Sequence, residues 1–270
     1  MTSKTKRVIA VAGCKGGVGK TFVSVNLAMA LSKLGQRVVL MDGNLSVPDV
    51  GPALGLDNSI GAEGREHTSQ HWEGQILTGP SGVTVLTPAN GAIWRQSIEI
   101  NDTVKLINKL EELASSLDTL IIDTAPGLGP DNVTLIQAAG EVLIVVNQDV
   151  LSLLDAARLI RLLNRVYEVR RFCIIVNVVS SKKSGSEQFE KLQSYLNYDN
   201  QMVLSYLGAI PFDKAVADAL SQQQALVDVN PTCRASRAFQ RLAHQVMAMP
   251  TPMPRGSIEI FMPTKVREGA

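Results

Sequence analysis

Cysteine is scarce. Cys14, Cys173 and Cys233 are the only three in 270 residues, widely spaced and odd in number. No C-x-x-C pair occurs, so neither a disulfide framework nor a zinc site is indicated. No apolar run approaches the ~18 residues of a membrane span. The start, "MTSKTKRVIAVAG", has basic residues, but its apolar run ends in a glycine loop, unlike a signal peptide. His67 and His71 are spaced i, i+4 in the polar stretch "GREHTSQHWEG", with no further ligand in view, so no metal site is read there. The net charge is only +1. That argues against a globally nucleic-acid-binding surface, and no direct nucleic-acid partner is expected. The simplest reading of these absences is a reduced cytoplasmic protein.

What the chain does have is a rhythm. Short β-branched runs alternate with helical stretches. Strands are expected at Val8–Ala12, Arg37–Met41 and Val83–Leu86, and helices at Thr21–Leu34 and Asp102–Ser116. "TLIIDT" (119–124), "VLIVVN" (142–147) and "CIIVNV" (173–178) are continuous apolar runs. Such runs mark strands covered on both faces, and so a parallel sheet. Leu151–Val166 reads as a helix and "SYLGAIP" (205–211) as another strand. Helices follow at Lys214–Gln223 and Arg234–Met247. The alternation predicts an α/β fold, a doubly wound and mostly parallel sheet. "MPTPMPRG" (249–256) breaks the composition. The packed domain is therefore expected over 1–248, with a Pro-rich linker and a short amphipathic tail over 249–270.

Ligands of such sheets bind at the carboxyl ends of the strands. The stretch "CKGGVGKT" (14–21) falls there, between the first strand and the first helix. It nearly fits the phosphate-binding pattern G-x-x-x-x-G-K-(S/T), with Cys14 at the first glycine and an extra lysine, Lys15. Gly16, Gly17 and Gly19 permit positive φ and close backbone approach. A helix N-terminus suits a phosphate. Lys20 can reach the β- and γ-phosphates, and the Thr21 hydroxyl can ligate Mg²⁺. Asp42 and Asp123 end neighbouring strands, where an aspartate holds Mg²⁺, usually through water, or else caps a helix.

"KGGVGKT" (15–21) resembles the deviant Walker A motif, K-G-G-x-G-K-(S/T), of the MinD/ParA ATPases, a P-loop NTPase class. Four further stretches resemble the FlhG/FleN flagellar-number regulators: 20–42, 212–243, "DTAPGLG" (123–129) and "PRGSIEIF" (254–261). The resemblance implies a MinD-like fold, ATP/ADP and Mg²⁺ as ligands, and a homodimer formed with ATP. Gly16, Gly17, Val18, Gly19, Lys20, Thr21, Phe22 and Asp123 would hold the nucleotide. Thr21, Asp42 and Asp123 would hold the metal, partly through water. Lys15 would be the signature lysine that reaches the partner subunit's phosphates. Partners implied beyond a second copy are a flagellar transcription activator or an SRP-type GTPase.

The departures from that pattern carry their own expectations. The family's switch segment reads D-x-D-L-G-L-A-N-x-D; here it begins "DGNLSVPDV" (42–50). Asp42 matches the first aspartate. Asn44 stands at the second, which acts on the attacking water, so slow ATP hydrolysis is expected, or an adaptor that binds ATP without hydrolysing it. The tail "GSIEIFMPTK" combines apolar and basic residues. It offers a weak membrane contact, packing on the protein's own body, or a partner site.

Overall fold

A computed structural model describes residues 6–44, 47–56, 74–88, 110, 116–196, 202–250 and 260–261. The expected helix at Asp102–Ser116 lies almost wholly outside these residues, as do His67 and His71. Eight strands form one sheet: β1 (Arg7–Ala12), β2 (Val38–Gly43), β3 (Gly74–Thr78), β4 (Thr84–Pro88), β5 (Thr119–Thr124), β6 (Glu141–Val146), β7 (Arg171–Val179) and β8 (Val203–Pro211). Their order across the sheet is β3-β4-β2-β5-β1-β6-β7-β8. Among the described residues, only β3 runs antiparallel to its neighbour. The doubly wound, mostly parallel sheet is thus borne out.

Strand alternation divides the core into two layers. Ile9 and Val11 face α1 (Lys20–Lys33), while Val8, Ala10 and Ala12 face the other side. The α1 layer also holds α2 (Val50–Ala53), α6 (Ala215–Ser221), α7 (Leu226–Val229) and α8 (Arg234–Ala248). The opposite layer holds α3 (Pro130–Ala138), α4 (Val150–Tyr167) and α5 (Lys182–Leu196). Among the described residues, no helix is long and apolar enough to cross a membrane.

The chain turns back to the core beyond its Pro-rich break. Ile260 is 5% exposed and packs into the α3–α5 layer. Its N–H donates to the Ala138 carbonyl at 3.0 Å, and the Lys6 ammonium lies 5.4 Å from the Phe261 ring centre. The Arg7 guanidinium also donates to the Met249 carbonyl at 2.7 Å. Packing on the body is therefore where residues 260 and 261 sit. These contacts lie at the amino ends of the strands, the pole opposite the glycine loop. Ile260→Ala is expected to cost about 2–5 kcal/mol, the usual range for truncating a buried aliphatic side chain. Urea titration would measure that loss, and nucleotide affinity should not change.

Candidate functional site

Three loops meet at the carboxyl ends of adjacent strands. Loop 13–19 follows β1, which lies beside β5, which lies beside β2. The register pairs Asp42 on β2 with Asp123 on β5, so two carboxylates stand side by side next to the glycine loop. Gly17 and Gly19 have φ of 77° and 95°, a region that excludes most side chains. At Gly19 a Cβ would lie 2.3 Å from the Asn177 amide nitrogen. That amide donates to the Val18 carbonyl at 2.9 Å, so β7 pins the loop from beneath.

An open cavity of ≈ 460 Å³ lies above the loop, within the usual range for small-molecule sites. Gly16, Gly17, Gly19, Lys20, Thr21 and Phe22 line one side. Asn44, Asp49 and Asp123 line it nearby, and Leu220 and Gln224 close the far wall. Lys20 is 7% exposed. Burial lowers its pKa, opposed by the charge of Asp123. The amino end of α1 adds unpaired N–H groups and the positive end of its dipole. Loop, lysine and dipole together form an anion site.

Asp123 is 1% exposed. Its two oxygens accept from the Thr21 hydroxyl at 2.6 Å and the Ser24 hydroxyl at 2.8 Å. Burial pushes its carboxyl up to about 6, with the two hydroxyls pulling the other way. Asp42 is equally buried but does different work. Its oxygens accept the backbone N–H groups of Asn44 (3.0 Å), Asp49 (2.7 Å) and Val50 (2.8 Å). Burial pushes its carboxyl up to about 7, against those hydrogen bonds. Asp42 therefore lies beneath the cavity wall, tying down the segment that carries Asn44 and Asp49.

Three expected site residues do not line the cavity: Asp42, expected at the metal but turned to the backbone of the switch segment, and Val18 and Lys15. The Val18 side chain is 2% exposed and packs into the α1 layer, so only its backbone belongs to the loop. Lys15 pairs with Asp149, the residue that caps α4 through its hydrogen bond from the Leu151 N–H. Lys15 and that N–H together hold the Asp149 carboxyl below its ordinary range. The structure also shows residues not singled out from the sequence: Ser24, Asn177 and Asp149. Ser24 lies one helical turn beyond Lys20, a spacing that makes it reachable by the Asp123 carboxylate. Asn177 and Asp149 come from other strand ends and carry no local signal.

A family model described as ParA, NUBPL iron-transfer P-loop NTPase, matches residues 4–247. The chain belongs to the ParA/MinD family of P-loop NTPases. Within it, the chain is 37% identical over 265 residues to the antiactivator FleN of Pseudomonas aeruginosa, covering 98% of this chain and 95% of that protein. That likeness puts it in the FleN/FlhG branch. An uncharacterised ATP-binding protein of Methanocaldococcus jannaschii is 28% identical over 252 residues, covering 88% of this chain and 87% of its own. Among solved structures, the MinD cell division protein of Aquifex aeolicus superposes with a TM-score of 0.69 at 25% identity, covering 92% of this chain and all of that one. In this ParA-family site the hydroxyl and carboxylate oxygens at Thr21 and Asp123 fit Mg²⁺. It favours hard oxygen donors, few from protein, with water and phosphate completing the shell.

Proposed function

We propose that this chain is an ATP-driven dimerisation switch with slow ATPase activity, acting on flagellar number or placement or a related polar process. The observation that carries the reading is the cavity itself, where Lys20, Thr21 and Asp123 converge beside the glycine loop. Loop N–H groups and Lys20 would bind the β- and γ-phosphates. Thr21 and Asp123 would hold Mg²⁺, which neutralises charge on the phosphates. Asp42 acts at one remove, by fixing the switch segment. Asn44, an amide where the family pattern has a carboxylate, can orient a water through its oxygen but cannot itself take a proton, and hydrolysis is expected to be slow for a member of the family. The same amide favours the second reading, an ATP-bound adaptor for a transcription activator or polar landmark protein. The FleN likeness supports a protein partner of the first kind. The sequence has no C-x-x-C pair, so the iron-transfer description of the family is not carried over.

Lys15 supplies the test. With ATP, a second copy would offer its phosphates to Lys15 in exchange for Asp149. A cation that serves only the facing subunit couples binding to assembly. The wild type should bind Mg²⁺-ATP and double its mass on doing so. Lys15→Ala should bind ATP with affinity within about threefold and remain a monomer. Calorimetry and light scattering read the two properties separately. Equal masses for both proteins under ATP would remove Lys15 from the interface.

A further inference from the structure

We infer that Asp49, not Asn44, is the carboxylate that acts on the attacking water, with Asn44 as its positioning residue. The inference rests on the ATPase reading above. Both residues hang from one buried point: Asp42 accepts the N–H of Asn44 at one oxygen and the N–H of Asp49 at the other. Held this way, their side chains face each other, and the Asn44 amide donates to the Asp49 carboxylate at 3.4 Å. Both line the cavity with Lys20 and Thr21.

Asp49 also lacks the local employment its position offers. It stands at the N-cap of α2, where an aspartate ordinarily caps the helix, yet its side chain makes no capping hydrogen bond. Among the described residues no lysine, arginine or histidine forms an ion pair with it. It is exposed to the cavity side, unlike the buried Asp42 and Asp123. Its charge is felt at both Lys20 and Asp123, so it lies within electrostatic reach of the phosphate and metal positions. In the motif D-x-D-L-G-L-A-N-x-D, Asn44 falls at an aspartate and Asp49 at the asparagine. Carboxylate and amide have changed places across the same small gap.

The chemistry balances without a further reactant. The oxygen of water bonds to the γ-phosphorus of ATP as the bond from that phosphorus to the β–γ bridging oxygen breaks. The water's proton passes to Asp49 and later to solvent; ADP and inorganic phosphate leave. Asn44 contributes through its amide N–H, which donates to the carboxylate and biases it toward the cavity.

The test uses Asp49→Asn and the exchange variant Asn44→Asp/Asp49→Asn. Single-turnover hydrolysis at saturating ATP should fall about a hundredfold in Asp49→Asn, the low end of general-base effects. ATP affinity by calorimetry should stay within about threefold of wild type, and the nucleotide-free melting temperature should not move. The exchange variant should recover part of the lost rate. Wild-type turnover in Asp49→Asn overturns the inference. So does loss of ATP binding or of stability in that variant, which would make Asp49 structural, and so does an exchange variant as slow as Asp49→Asn. A wild type that binds ATP without turning it over also overturns it. A wild type that fails to bind ATP instead removes the switch reading on which it rests.

Discussion

Asp123→Asn is expected to stabilise the nucleotide-free protein at neutral pH while removing its Mg²⁺-dependent hold on nucleotide. The folded carboxyl titrates near 6, above the ordinary 3.8, because burial disfavours its charge. The folded state therefore holds this proton more tightly than the unfolded chain. As pH rises from about 4 to 6, the unfolded chain ionises first and stability is lost. Roughly two pH units at ~1.4 kcal/mol each make this about 3 kcal/mol. Asparagine has no proton to lose; the hydroxyl that faces its amide nitrogen, Thr21 or Ser24, can rotate to accept, while the other still donates to its oxygen. Thermal melts of both proteins should show a gap that widens by about 2–3 kcal/mol between pH 4 and 7 in favour of the variant. Asp42 is raised chiefly by its own burial and in smaller part by the charge of Asp123, so the variant lessens its slope too and the gap widens in the same direction. A gap that does not change with pH would mean that Asp123 is ionised at no cost. The stability gain and the binding loss should travel together, since both come from one buried charge awaiting a cation.

Gly19→Ala should have the largest effect on binding. The backbone there has φ of 95°, which costs an L-residue roughly 1–2 kcal/mol. The new methyl would also press on the Asn177 amide, 2.3 Å away, and break its hydrogen bond to Val18, worth about 1 kcal/mol. A total loss of about 2–3 kcal/mol in stability follows. Nucleotide affinity should fall about ten- to a hundredfold, because the displaced loop loses charge-assisted hydrogen bonds to phosphate worth about 1.5–3 kcal/mol. Adding Asn177→Ala removes the collision but not the backbone strain, so it should restore binding only in part. Calorimetry with ATP on the three proteins checks this. Wild-type affinity in Gly19→Ala would show that the loop yields freely and that Asn177 does not hold it.

Much of the site was legible because it is contiguous. Residues 15–21 carry their chemistry in one run, and Asp42 and Asp123 each close an apolar strand. The central strands were legible because burial on both faces leaves unbroken apolar runs. What escaped lacks such signals. Helix α5 exposes most of its surface, burying only Gly185, Gln188, Leu192 and Leu196; Gly185 there permits contact with Tyr206 and Ala209 but reads as a breaker in sequence. Strand β3 is an edge strand, paired on one side only, and α2 is too short to show a period. The Lys15–Asp149 and Asn177–Val18 contacts join positions 134 and 159 residues apart, beyond what local pattern can show. The Pro-rich break was visible, and packing of the tail on the body stood among three open readings; which residue would anchor it could not be read, since a single apolar residue after a linker has no period.

Asp42 has one further consequence. A single side chain grips the backbone at residue 44 and again at 49 and 50, so the two side chains poised over the cavity, Asn44 and Asp49, are moored to one buried point. Val47, two residues before the second grip, is 64% exposed. A load placed on Val47 by another protein would reach that mooring through Pro48 alone, as a lever passes a load to its fulcrum.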